Sequence, residues 1–141
     1  MRDCELGLPG EQRDRLTASV LAGRKTSTSS LLAEWEHERE PLPRSGERQR
    51  LLNSEGRVIA VIELTEVEVI RLGDADLALA IDEGEGFVSV QAWREAHVRF
   101  WREAVMPGLP AASVLSLGAE TLVLVERFRV VEAPPGRAVE I

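Results

Sequence analysis

The stretch Arg57-Val58-Ile59-Ala60-Val61-Ile62-Glu63-Leu64-Thr65-Glu66-Val67-Glu68-Val69-Ile70-Arg71-Leu72 decides the fold. Val58, Ala60, Ile62 and Leu64 recur at every second position, and Val67 and Val69 resume that rhythm with Glu66 and Glu68 between. A period of two is the mark of a half-buried strand. The rhythm slips at Thr65-Glu66, which predicts a bulge or bend there. A long, bent, one-sided strand suits a small barrel.

Working outward, Ser54-Glu55-Gly56 reads as a hairpin turn after a short strand at 48–53, itself preceded by a turn at Ser45-Gly46-Glu47. Thr121 to Glu132 is the second strong strand. Its first half is apolar on both faces and therefore central, and its second half alternates. Residues 13–22 read as a short amphipathic helix ended by Gly23. Leu31 to Glu38 adds one or two helical turns, stopped by Glu40-Pro41-Leu42-Pro43. Asp74 to Ile81 is a further short helix, and Ser89 is placed to cap a helix from Val90 to about Glu103. The segment 106–118 reads as a loop, and the tail 133–141 as poorly ordered. The sum is one α+β domain: a mostly antiparallel β-barrel with two to four short helices at its rim.

At 141 residues the chain is one domain's worth of sequence, with 44% apolar and 29% charged residues, as in ordinary folded proteins. No apolar run is long enough to span a bilayer, and the first residues have no signal-peptide h-region, so a cytoplasmic location without membrane contact is expected. Cys4 is the single cysteine, which excludes an intrachain disulfide and a Cys-rich zinc site. The net charge of −7 argues against long duplex DNA or RNA, whose binding rests on displaced counterions. The acidity is concentrated. Residues 58–91 carry eight carboxylates (Glu63, Glu66, Glu68, Asp74, Asp76, Asp82, Glu83, Glu85) against Arg71 alone.

Of 17 basic residues, 16 are arginine and one, Lys25, is lysine. Unlike a guanidinium, an amine can lose its proton when desolvated, or act as a compact point charge. Lys25 lies in Gly23-Arg24-Lys25-Thr26-Ser27-Thr28-Ser29-Ser30, two cations followed by five hydroxyls, read as a helix-to-loop junction. It lacks the phosphate-loop pattern Gly-x4-Gly-Lys-Ser/Thr. Its groups could hold a phosphate, a ribose or a base edge, with Arg24, Thr26 and Ser29 as contacts and Trp35 as a stacking surface. A second candidate, Asp82-Glu83-Gly84-Glu85-Gly86, is an acidic glycine loop that lacks calcium-loop spacing but could face Lys25 and supply a general acid or base. A third is the helix carrying Trp93, His97, Phe100 and Trp101 on one face, read mainly as core. His37 and His97 form no metal-ligand pattern in sequence, and neither metal nor cofactor is expected.

Several stretches together resemble the ASCH domain family of the PUA-like superfamily. They are Leu21-Ala22-Gly23-Arg24-Lys25-Thr26-Ser27-Thr28-Ser29, Glu40-Pro41-Leu42-Pro43 with Gly46, and Ile62-Glu63-Leu64-Thr65-Glu66-Val67. Glu83-Gly84-Glu85-Gly86 with Trp93-Arg94-x-x-His97, and Val125-Glu126-Arg127-Phe128, complete the set. The resemblance runs from about Leu16 to Val131 and implies a PUA-like barrel. It implies binding of RNA or a nucleoside in a rim pocket, with hydrolysis of N4-acylated cytidines in some members and ribonuclease activity in at least one. Carried over residue by residue, the catalytic set is Lys25, Thr28 and one of Glu83 or Glu85, with Glu85 favoured by its distance from the following helix. The aromatic-rich strand of larger members is reduced here to residues 1–10, without an aromatic, which is expected to open one side of the pocket.

Three function classes follow: a nucleoside- or RNA-directed hydrolase (an amidohydrolase, or a ribonuclease), a non-catalytic binder of RNA or modified nucleotides, and a protein-interaction module. The charge favours a nucleoside or short single strand as partner. A monomer or weak homodimer is expected.

Overall fold

The long strand β4 (Val58–Arg71) is the spine of the molecule. The structure is a computed structural model that describes residues 1–110 and 116–133. On one side β4 pairs antiparallel with β3 (Arg48–Leu52), which pairs parallel with β1 (Arg2–Cys4). On the other it pairs antiparallel with β5 (Leu122–Glu132), which carries β2 (Ser27–Leu31) on its far edge. The strand order β1-β3-β4-β5-β2 makes a curled, mostly antiparallel half-barrel, the α+β architecture expected from the alternation.

The slip at Thr65 is a real break in register: Leu64 pairs with Phe128 and Glu66 with Arg127. One extra residue bends the strand and tightens its twist, which curls the sheet. The reading of β5 as central holds as well, with Val123, Leu124 and Val125 all at most 1% exposed.

Four helices flank the sheet: α1 (Glu11–Leu21), α2 (Leu32–Glu38), α3 (Leu77–Asp82) and α4 (Val90–Phe100). The last two are capped by side chains, Asp76 accepting from Leu79 N–H at 2.9 Å and Ser89 from Ala92 N–H at 3.1 Å. Beyond Phe100 the helix widens into a π-turn over Trp101–Val105, which keeps Trp101 buried at 2% exposure.

The core has two parts. Leu6, Leu16, Leu51, Ile62, Leu64 and Phe128 pack on one side. Leu31, Leu72, Leu79, Trp93, Trp101 and Val125 pack on the other. Val125 and Phe128 belong to opposite faces of β5 by its period of two.

Two elements depart from the sequence reading. Thr26 to Ser30, read as a loop, forms most of edge strand β2, with Ser27 opposite Arg127, Thr28 opposite Glu126 and Ser29 opposite Val125. A run of hydroxyl residues has no hydrophobic rhythm to read. Its strand conformation is imposed by the fully buried strand beside it, because strand preference is mostly a property of neighbours. The polar tripeptide Arg2-Asp3-Cys4 likewise forms β1 only because the edge of β3 is available. Within the loop read over 106–118, residues 111–115 lie outside the described ones, as do 134–141 of the tail.

Candidate functional site

The turn leaving α1 places Lys25. The backbone N–H groups of Arg24 and Lys25 both donate to the Ser19 carbonyl, at 3.0 and 3.1 Å. Thr26 N–H then donates to the Asp82 carbonyl at 2.8 Å, and Phe128 N–H to the Thr26 carbonyl at 3.0 Å. The acidic loop after α3 is thereby stitched to the start of β2. The Ser19 hydroxyl adds a bond to the Gly84 carbonyl at 2.9 Å, and Arg127 of β5 forms an ion pair with Asp82.

Gly84 is required where it stands. Its φ is +71°, and a Cβ there would lie 2.5 Å from the backbone N and Cα of Lys25. Both the left-handed conformation and the backbone contact exclude a side chain. We expect Gly84→Ala to push the loop away and cost about 2 kcal/mol or more, combining conformational strain with a backbone shift. Chemical denaturation measures the loss, and an unchanged midpoint would contradict the close approach.

This approach brings Lys25 and Glu83 together inside the protein. Lys25 is 3% exposed and Glu83 1%. Lys25 Nζ donates to Glu83 Oε1 at 3.3 Å and to the Glu83 carbonyl at 3.2 Å. The Ser29 hydroxyl donates to Glu83 Oε2 at 2.6 Å. His97 Nε2 lies 3.4 Å from Glu83 Oε1. Burial works to raise the Glu83 pKa, but the Lys25 charge, the His97 contact and the Ser29 hydroxyl together outweigh it and hold the carboxyl below its ordinary value.

His97 is oriented from α4. Its Nδ1 lies 2.8 Å from the Trp93 carbonyl, its ring stacks on Trp93 with centroids 4.4 Å apart, and Trp101 meets it edge-on at 5.4 Å. With an Nδ1 proton given to the carbonyl, Nε2 faces Glu83. The ring was read from sequence as core, and the signal for its second role was the Trp93-x-x-x-His97 spacing beside the acidic loop.

A cavity of about 380 Å³ opens onto Lys25, Thr28, Ser29, Glu83, Glu85 and His97. The carboxylate paired with Lys25 is Glu83 and not Glu85, because the loop is held at Asp82 and Gly84 and turns Glu83 inward between them. Glu85 is half-buried on the same cavity. Thr28 lines the cavity as expected, although its hydroxyl is not bonded to Lys25, whose donated bonds go to Glu83.

The other expected contacts divide. Ser29 is spent on Glu83. Trp35 lines a neighbouring cavity, where its Nε1 donates to the Ser30 hydroxyl at 2.9 Å. Arg24 is exposed at the turn and the Thr26 hydroxyl faces the Asp82 carbonyl, so neither lines these two cavities.

Glu83, Glu85 and His97 also present ligand atoms within 4.8 Å of one another, a grouping scattered in sequence. They could surround a divalent cation, but Lys25 Nζ already faces the same Glu83 oxygen and competes with one electrostatically.

Comparison with known proteins agrees with this geometry. The family model for the ASCH domain matches residues 5–132, and the chain belongs to that family. Its fold is similar to that of the protein EF3133 from Enterococcus faecalis V583, with TM-score 0.82 and 28% identity over 94% of this chain and 77% of that one. It is also similar to an ASCH domain from Lactobacillus crispatus JV V101, with TM-score 0.78 and 26% identity over 93% of this chain and 79% of that one. No curated protein matches. Among the described residues, no helix is long and apolar enough to cross a membrane.

Proposed function

We propose that the protein is an amidohydrolase acting on small N-acylated nucleosides of the N4-acylcytidine type, with Lys25, Glu83 and Thr28 as its working residues. The observation that carries this reading is the buried Lys25–Glu83 pair at the floor of a ligand-sized cavity. A buried ion pair is weak evidence for stability, since apolar residues of similar volume often serve as well. Placed against a cavity, with a histidine and a serine fixing the carboxylate, it has the form of catalytic machinery.

The geometry favours one division of labour. Lys25 held against a carboxylate is a donor, so it meets the oxyanion that develops when the acyl carbonyl is attacked. Glu83, kept ionised, takes a proton from the attacking water and returns it to the leaving amine. One water adds across the amide bond, giving the free amine and a carboxylic acid. Ser29 fixes Glu83 through its other oxygen, and His97 holds it from the α4 side. Thr28, on the cavity wall, bonds the substrate. The family's association with RNA fits a nucleoside ligand, and an acidic chain fits a small one better than a long strand.

Hydrolysis of N4-acetylcytidine tests this. Lys25→Arg and Glu83→Gln are each expected to lower kcat about 10²-fold or more, with cytidine affinity nearly kept. Full activity in Lys25→Arg would remove the lysine from the mechanism. Cytidine binding by the wild type without turnover of any acylated nucleoside would leave a non-catalytic binding module.

A further inference from the structure

A second cavity, about 650 Å³, lies between β1 and α2 and shares Thr28 and Ser29 with the first. Its walls include Trp35, Phe100 and Trp101. Its charge is one-sided: Asp3, Glu5, Glu34, Glu38, Glu40 and Glu126 line it, against Arg2 alone. Asp3 and Glu5 are answered by Arg50 and Arg13. Glu34, Glu38, Glu40 and Glu126 have no basic side chain within 4.0 Å among the described residues.

Glu126 is the deep one. It sits on β5 directly opposite Thr28 and is only 7% exposed. Gln49 beside it gives partial relief, but that amide also donates to Glu47 at 2.7 Å. The Arg2 guanidinium is turned outward. It donates to the Pro41 carbonyl at 2.9 Å, lies 3.5 Å from Glu47 and rests over the Trp35 ring at 5.2 Å. A carboxylate nine-tenths buried, facing a cavity and lacking a cation, is costly to keep.

We propose that this cavity binds a small planar ligand with a fork of N–H donors (an amidine, a guanidine or an amino-substituted heterocycle), seated between the aromatic walls with its donors on the Glu126 carboxylate. A carboxylate takes two parallel N–H bonds from such a fork. Arg2 over Trp35 shows that the aromatic wall accepts a flat cation. A metal ion fits less well: among the described residues, the one acidic grouping with converging ligand atoms is Glu83, Glu85 and His97, outside this cavity. A phosphate would face unanswered carboxylates. The proposal does not depend on hydrolysis at Glu83.

Benzamidine is the probe, since it stays cationic across the useful pH range and carries the N–H fork on a flat ring. Titrated by calorimetry into the wild type at pH 8, it is expected to saturate at about 10 mM or below. Glu126→Gln should weaken it at least about tenfold, and Glu66→Gln, an exposed carboxylate outside the cavity, should not. Benzoate should not bind.

The Glu126 carboxyl, pushed up to about 7 by burial, gives a second readout. Wild-type affinity should fall about 30-fold from pH 8 to 5.5 as that carboxyl protonates, while Glu126→Gln stays much flatter. Arg2 and Cys4 on β1, Glu47 and Gln49 beside β3, and Glu34 and Glu38 on α2 share these surroundings, and the variant subtracts their contributions. Equal affinity in Glu126→Gln, no wild-type saturation, or benzoate binding as tightly as benzamidine would each overturn the proposal.

Discussion

Lys25→Met is expected to destabilise the fold by about 3–5 kcal/mol at neutral pH, far more than an exposed lysine is worth. The reason is the partner left behind. Glu83 is 1% exposed, and once the Lys25 amine 3.3 Å away is gone its charge faces only His97 and the Ser29 hydroxyl. Desolvation, which already acts to raise its pKa, then meets much weaker opposition.

The pH dependence follows in sign. In the wild type the Glu83 pKa is depressed, so its stabilisation is present above the ordinary carboxylate range and is lost as pH falls through the folded value. In Lys25→Met the folded pKa moves up, so the deficit is largest at neutral pH and shrinks on acidification. Pairing the change with Glu83→Gln removes the stranded charge and should recover about 2 kcal/mol or more. Urea denaturation of the four proteins at pH 7.5 and 5 measures the cycle. Additive single-site losses, with no dependence on pH, would show that the pair does not interact as its geometry implies.

The same buried pair shows what could be read from the chain alone. The fold was legible wherever burial leaves a rhythm: β4 with its slip at Thr65, the doubly buried first half of β5, and α4 behind Ser89. It was not legible where conformation is imposed from outside, as for the hydroxyl run of β2 and the polar β1. Lys25 could be found because it is the one lysine among 17 cations. The acidic loop could be proposed as its partner, but the choice between Glu83 and Glu85 could not be made from spacing. That choice is set by backbone bonds from Thr26 to Asp82 and from Ser19 to Gly84, which join segments more than fifty residues apart. His97 was hidden for a related reason. An aromatic helix face serves as core and as site wall at once, and sequence displays only the first. Glu126 reads as one more polar residue on an alternating strand, and only the curl of the sheet puts it inside.

Glu126 also supplies the one substitution expected to make the protein more stable. Burial raises its carboxyl from 4.5 to about 7, with Gln49 and the Arg2 charge only partly offsetting the effect and Glu47 adding to it. A carboxyl whose folded pKa lies above its unfolded value binds more protons in the native state, so stability falls as pH rises through the window from 4.5 to about 7. Above that window the deficit is constant, at about 3 kcal/mol. Glu126→Gln keeps the shape and removes the charge, so it should stabilise the protein by about that amount at pH 8 and by less than about 0.5 kcal/mol at pH 4.5, where the native carboxyl is already protonated. Denaturant midpoints at the two pH values decide the matter. A gain that did not depend on pH would point to packing in place of charge, and a loss at pH 8 would mean that a hydrogen bond to the ionised carboxylate outweighs its burial. If the gain appears together with loss of benzamidine binding, the chain keeps a destabilising carboxylate for the ligand it holds, the exchange of stability for function expected at a binding site.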